Sequence, residues 1–94
     1  MPRPERPIDP RGPIADLAIG LRALRRQAGL PYRQMASMTH YGLTTLAGAA
    51  AGRRPPSWSV TQAYVSACGG LPKDWLNRWQ LATTAWKAIN RGTT

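Results

Sequence analysis

Residues 32–52, YRQMASMTHYGLTTLAGAAAG, are the stretch that most constrains what this chain can fold into. Each half of the stretch carries apolar residues that fit one side of a short helix. These residues are Met35 and Ala36 in the first half, and Leu46 and Ala49 in the second. Residues 39–42, THYG, leave room between the halves only for a sharp corner. The stretch therefore predicts two short helices, at residues 32–38 and 43–51, that pack at a steep angle around a small shared core.

Three further helices are predicted around this corner. The first spans residues 13–28, because an apolar stripe at helical spacing follows a proline that suits the first helical position. The stripe consists of Ile14, Leu17, Ala18, Leu21, Leu24 and Ala28. Another helix, at residues 57–68, has Ser57 as its N-cap, and the last helix spans residues 72–90. The whole pattern predicts one all-α domain of five helices over residues 13–94.

Residues 1–12 differ from the rest of the chain, since they are rich in proline and charge and have almost nothing to bury. Such a composition predicts a flexible arm ahead of the domain. The arm carries Arg3, Arg6 and Arg11, which could follow a nucleic-acid groove. The alternative is a solvated tail without a partner.

The last helix carries an apolar stripe whose spacing alternates between four and three residues. Its members are Trp75, Trp79, Ala82, Trp86 and Ile89. The early part of the stripe is expected to close the core of the domain, whereas Trp86 and Ile89 extend past it. An apolar stripe longer than its own core predicts an interface with a second copy of the chain or with another protein. The alternative is that the helix folds back and hides both side chains.

The charge balance points to an anionic partner. Thirteen Lys and Arg residues face four acidic residues, which gives the chain a net charge of +9. Such an excess favours binding to nucleic acid, with an acidic protein surface and anionic lipid as alternatives. Arginine outnumbers lysine heavily. Because the planar guanidinium fits phosphate groups, this bias indicates phosphate binding more than a need for solubility.

Cysteine usage and hydropathy indicate the compartment. Cys68 is the only cysteine, so no disulfide can form within the chain, and a reducing cytoplasm is the expected setting. We expect Cys68 to pack as a small apolar group. No stretch has the length and apolar character of a membrane span, and the N-terminus lacks the apolar core of a secretion signal.

From Arg22 to about Trp79 the sequence resembles the Cro/C1-type (Xre-like) helix-turn-helix domain, in the arginine-rich version common in actinobacteria. The matching segments are LRALRRQAGLPYRQMA, AAAGRR, PSW, AYV, ACGG and the Trp75/Trp79 pair. The resemblance implies a compact five-helix fold like that of the Cro/C1 repressors. It also implies binding to double-stranded DNA in the nucleoid, a role in transcription regulation and, often, a homodimer.

The resemblance also implies roles for individual residues. The residues expected to face the DNA bases, from the second helix of the corner, are Leu43, Thr44, Thr45 and Gly48. Phosphate contacts are expected at the start of the first helix of the corner and in the loop after its second helix. The residues are Tyr32, Arg33, Gln34, Arg53 and Arg54. Many members carry an acid at the position of Ala50, where it can pair with the arginine matching Arg25.

The sequence departs from the family pattern where bases would be read. Residues 42–52 contain no charged side chain and no amide side chain, whereas specific readout relies on Arg, Lys, Asn or Gln. What remains is a hydroxyl on Thr44 and on Thr45, and an apolar contact from Leu43. We therefore expect about five to seven phosphate contacts, a salt slope of roughly −5 to −6, and shallow discrimination between sequences.

The residues also bear on two other functions, protein docking and catalysis. Met38, Leu43 and Ala47 could form an apolar patch that docks a partner protein in place of DNA. An enzyme is not expected, because one His, one Cys and four acids offer no catalytic or metal-ligating arrangement, and no cofactor motif occurs. The tryptophans Trp58, Trp75 and Trp79 are expected to belong to the core.

Overall fold

The computed structural model describes residues 6–92, with side chains up to residue 89. Within this range the chain forms five α-helices and no strand, so the prediction of an all-α, five-helix domain is confirmed. The helices are α1 (Ala15–Ala28), α2 (Tyr32–Met38), α3 (Leu43–Ala49), α4 (Trp58–Ala67) and α5 (Leu76–Gly92). A single 3₁₀ turn, Pro72–Asp74, precedes α5.

Several helices begin or end at residues whose side chains or backbone preferences favour a helix end. Gly29 ends α1 with a left-handed φ of 68°, and its amide returns to the carbonyls of Arg25 and Arg26. Ser57 caps α4 by accepting a hydrogen bond from the amide of Val60, as its side chain predicted. The predicted last helix is divided, because the Trp75 amide bonds to the Pro72 carbonyl in a 3₁₀ turn and α5 begins only at Leu76.

The core lies beneath the α2–α3 corner. Met35 of α2 and Leu46 of α3 are fully buried, as the pattern of residues 32–52 predicted. They pack on Tyr64 of α4 and on the buried stripe of α1, which includes Leu17 and Leu21. Burial of each such side chain contributes roughly 1.5–3 kcal/mol. The corner is therefore held by the same cluster that joins α1 to α4.

Helix α5 is fastened to the domain at two points by polar contacts. The Nε of Arg78 donates to the Asp16 carboxylate, and its Nη2 donates to the Asp16 carbonyl, both at 3.0 Å. The indole Nε1 of Trp79 donates to the Pro56 carbonyl at 2.7 Å, and its ring lies 5.4 Å from that of Trp58. These contacts tie α5 to α1 on one side and to the loop after α3 on the other.

The structure corrects the prediction for the end of α5. Trp86 is half-buried and packs against the core instead of projecting past it. Ile89, by contrast, remains 53% exposed. The reason is that Trp86 lies one turn beyond the buried Ala82, on the same face of α5, so the domain still covers it.

The first five residues of the predicted flexible arm, with Arg3, lie outside the described residues. The remainder of the arm contacts the domain. The carbonyl of Arg6 accepts a hydrogen bond from the Arg22 guanidinium, and Ile8 is half-buried against Gly52. The amide of Gly12 then bonds to the Asp9 carbonyl at 3.0 Å and turns the chain into α1. Across residues 6–92, no helix combines the length and the apolar character needed to cross a membrane.

Candidate nucleic-acid interface

Helix α3 presents one side to solvent and the other to the core. Its four predicted base-facing residues are all exposed, and they are Leu43, Thr44, Thr45 and Gly48. Leu46 and Ala49 occupy the opposite side and are buried. Leu43 is 47% exposed, and the nearby Met38 at the end of α2 is 55% exposed. The exposed side of α3 is therefore available to a partner and has an apolar character at its start.

The end of α3 is held by Arg22 of α1. Arg22 is only 7% exposed, and its Nε donates to the carbonyl of Ala50 at 2.8 Å. The resemblance had placed the arginine matching Arg25 near position 50, and in this structure Arg22 is the arginine that reaches position 50. Arg25 instead stacks over the Tyr32 ring at 4.3 Å and donates to the Leu30 carbonyl at 3.0 Å. The two arginines lie one turn apart on the same helix, so the backbone decides which of them reaches α3.

The corner between α2 and α3 is built without backbone strain. Thr39 and Gly42, the cap residues on its two sides, have extended backbones, and the Thr39 hydroxyl accepts a hydrogen bond from the Tyr41 amide at 3.2 Å. Every positive φ in the described part of the chain belongs to glycine, so His40 adopts the corner without a left-handed backbone. His40 is exposed at the corner.

The start of α2 divides into a packing residue and two exposed residues. Tyr32 is half-buried, and its hydroxyl lies 3.2 Å from that of Tyr64. Its side chain is therefore turned into the domain, and a phosphate contact at this position would have to use the backbone. Arg33 and Gln34 are exposed, with their side chains outside the core. Of these three predicted phosphate contacts, only Arg33 and Gln34 have side chains available to a ligand.

The loop after α3 carries two adjacent exposed arginines, Arg53 and Arg54. Gly52, with a φ of 81°, turns the chain into this loop, and the Pro56 carbonyl is held by Trp79. Neither these arginines nor Arg33 makes a hydrogen bond or ion pair with another described residue. Their guanidinium groups are therefore available to an anionic partner.

Acidic residues are absent from the segment of the chain that forms the α2–α3 corner and its loop. The sequence contains no Asp or Glu between Asp16 and Asp74. Asp16 pairs with Arg78 at 3.0 Å, and Asp9 pairs with Arg11 at 3.4 Å. The α2–α3 corner and its loop therefore carry positive charge without a nearby acidic side chain from their own segment of the chain.

Two open grooves run along α3. The arm groove has a volume of about 420 Å³ and separates the end of α3 from the arm, with Arg6, Ile8, Ala47 and Arg53 among its lining residues. The loop groove has a volume of about 560 Å³ and lies between α3, the Arg53–Arg54 loop and α5. It is lined in part by Thr45, Gly48, Val60 and Trp86.

The side chains of Cys68 and Tyr64 do not line these two grooves. Cys68 is buried, as predicted, and this burial raises the pKa of its thiol. Burial, followed by the hydrogen bond with Tyr32, also raises the pKa of the Tyr64 phenol. No three His, Cys, Asp or Glu side chains of the described residues come together in a way that could hold a metal ion.

Comparison with known proteins gives one match. A sequence model described as "Helix-turn-helix domain" matches residues 16–79, which extend from α1 to the first turn of α5. Searches of curated proteins and of solved structures found no match. The matched segment includes the corner, both arginines of the loop and the tryptophans that anchor α5.

Proposed function

The chain belongs to the family of helix-turn-helix domains, and from that premise we propose that it binds duplex DNA, chiefly at the phosphate backbone, as a transcriptional regulator. One observation carries the proposal. Along the chain, the exposed side of α3 is preceded by the exposed Arg33 and followed by the exposed Arg53–Arg54 pair, in a segment without acidic residues. A polyanion is the partner that such a surface attracts.

The family geometry gives α3 the place of the recognition helix. In that arrangement the second helix enters the major groove, which is about 12 Å wide, while the first helix crosses the backbone. Arg33 and Gln34 at the start of α2 would then meet phosphates of one strand. Arg53 and Arg54 would meet phosphates beyond the end of α3.

The bases would be read only weakly. Thr44 and Thr45 each offer one hydroxyl, and Leu43 can touch a thymine methyl. A Cβ placed on Gly48 would meet no other atom within 4 Å, so no side chain of the domain fills the space at this position of α3. The exposed side of α3 has none of the bidentate donors that contribute roughly 1–3 kcal/mol of discrimination each. We propose that sequence preference depends mainly on the shape of the DNA backbone.

Membership in the Cro/C1-type (Xre-like) group remains part of the proposal. It is supported by residues 22–36, which form the last part of α1 and the first part of α2, and by the GRR and PSW segments around the loop. Two of these segments have a structural role here, since Arg22 holds the end of α3 and Ser57 caps α4.

The experiment that tests the proposal measures how the affinity for a random duplex changes with salt concentration. The plot of log K against log salt has a negative slope. The separate variants Arg33→Ala, Arg53→Ala and Arg54→Ala should each make this slope less steep by about 0.9. Lys73→Ala removes one charge from the exposed turn before α5 and should leave the slope unchanged. Equal slopes for all four variants and the wild type would contradict the proposed surface.

Docking of a partner protein is the second candidate function. It is favoured by the exposed apolar side chains of Met38 and Leu43 and by the loop groove, where Trp86 provides an aromatic wall. A homodimer through α5 would use Ile89, since Trp86 is largely committed to the core. Sizing by light scattering with and without a random duplex separates the candidates. A dimer that forms without DNA and excludes DNA supports docking.

A further inference from the structure

We infer that Arg6 is a further phosphate-binding residue and that the arm groove between Arg6 and Arg53 holds a strand of the duplex. This inference rests on the proposed binding of DNA. It extends the interface from α2, α3 and the loop to the segment that precedes α1. Four observations carry it: the anchoring of the Arg6 backbone, the packing of Ile8, the charge around the groove and the groove's continuity with α3.

The backbone at Arg6 is fixed relative to the recognition helix by a single buried group. The Arg22 guanidinium donates from Nη1 to the carbonyl of Arg6 and from Nε to the carbonyl of Ala50. A guanidinium is planar and rigid, so these two carbonyls are held at a set separation. The arm therefore has a defined place beside the end of α3.

The packing of Ile8 on Gly52 holds the arm at a second point. A Cβ at Gly52 would lie 3.1 Å from Cγ2 of Ile8, so the absence of a side chain at Gly52 gives Ile8 its space. Gly52 also has a φ of 81°, which favours glycine in any case. Beyond Ile8, the amide and the Nε of Arg11 donate to the Asp9 carboxylate. Residues 6–12 are thus ordered by contacts at both ends.

The charge around the arm groove is positive. Arg6 and Arg53 both line the groove and are exposed, and neither guanidinium group has a polar partner among the described residues. Asp9 lines the groove as well, but its carboxylate is paired with Arg11 at 3.4 Å. An anion in the groove would therefore meet two available guanidinium groups and a carboxylate whose charge is already offset.

An extended anion fits this groove better than a small one. The groove opens to solvent, and Ala47 of α3 contributes to its wall. A ligand that lies in the groove therefore continues onto the exposed side of α3, where the duplex is proposed to bind. Because the arm is already ordered, Arg6 meets the phosphate with less loss of conformational entropy than a free tail would.

Two arginines of the arm provide a matched test, with a random duplex as the probe. Arg6→Ala should reduce the slope of log K against log salt by about 0.9, as Arg53→Ala does. Arg11→Ala removes a charge that is paired with Asp9, so the carboxylate left unpaired in the groove should lower the affinity, whereas the slope should stay close to that of the wild type because no phosphate contact is lost. An Arg6→Ala slope equal to the wild-type slope, with a reduced slope for Arg53→Ala, would overturn the inference alone. A wild-type chain that does not bind DNA would overturn the proposed function as well.

A second variant tests whether the docked position of the arm matters. Ile8→Ala keeps every charge but removes the packing on Gly52, and we expect the affinity for the duplex to fall about two- to tenfold. Ile19→Ala is the control, since Ile19 is 45% exposed on α1. Unchanged affinity of Ile8→Ala would contradict the proposed role of the docked arm, because Arg6 would then act only as a mobile charge.

Discussion

The Nε of Arg22 donates a 2.8 Å hydrogen bond to the carbonyl of Ala50, and through this bond α1 holds the end of the recognition helix. The same guanidinium donates to the carbonyl of Arg6. Arg22 is thus the point at which α1, α3 and the arm meet. Its guanidinium binds two backbone carbonyls inside the domain. Arg22 therefore positions the elements of the interface and is not expected to contact DNA itself.

Replacement of Arg22 should destabilise the domain. Arg22→Met keeps much of the length of the side chain but leaves the buried carbonyl of Ala50 without its donor. The free energy of unfolding should fall by roughly 1–3 kcal/mol. Urea denaturation measures the change, and Gln27→Ala, at an exposed position of α1, is the control with little expected effect. An unchanged midpoint for Arg22→Met would show that the bond does not hold the fold.

The indole of Trp79 should stabilise the loop that carries the arginines. Trp79→Phe removes the 2.7 Å bond to the Pro56 carbonyl and should lower the free energy of unfolding by about 1–2 kcal/mol. The affinity for DNA should also fall, while the salt slope stays the same because no charge is lost. Trp58→Phe is the matched control, since Trp58 contributes its ring to the pair while its indole makes no hydrogen bond to another described residue. Equal effects of the two variants would assign the loss to ring packing.

The same substitution should have opposite effects at two glycines. Gly48 lies inside α3 with open space around it, so Gly48→Ala should raise the free energy of unfolding by up to about 1 kcal/mol. Gly29 also has open space, but its φ of 68° is unfavourable for alanine, and Gly29→Ala should cost about 1–2 kcal/mol. Thermal unfolding of both variants tests the pair. Destabilisation by Gly48→Ala would indicate a close contact at the exposed side of α3.

Burial of Cys68 predicts a loss of stability in alkaline solution. Its pKa is raised in the folded state, so the folded thiol stays protonated where the unfolded thiol ionises. Stability should therefore fall as the pH rises above about 8.5, the ordinary pKa of a cysteine thiol. Urea denaturation as a function of pH should show a shallower decline for Cys68→Ala just above that pH. Equal declines for the variant and the wild type would mean that other groups cause the loss.

The sequence predicted those features that depend on local signals. The bounds of α2 were predicted to the residue, because the Gly29–Pro31 break and the THYG corner punctuate a short apolar pattern. Ser57 and Gly29 likewise marked the ends of their helices through their own conformational preferences.

The remaining features depend on contacts between distant segments. Arg22, and not Arg25, reaches position 50 because of the placement of α1 beside α3. The docking of Ile8 on Gly52 depends on the same placement. The burial of Trp86 depends in the same way on how α5 crosses the domain. The spacing of a helical stripe predicts which face of the helix carries a side chain. It does not predict how far along that face the rest of the domain covers the helix. The exposed side of α3 was predictable in part, since periodicity separates Leu46 from its exposed neighbours.

The central claim is that the chain binds duplex DNA through phosphates with little reading of bases. Its most direct test is the affinity of the wild-type chain for a random duplex across a salt series, with a scrambled duplex as competitor. We predict a slope of log K against log salt of roughly −5 to −6 and similar affinities for unrelated sequences. A nearly flat slope would contradict phosphate-based binding, and a preference of roughly several thousandfold for one sequence at physiological salt would contradict the weak reading of bases.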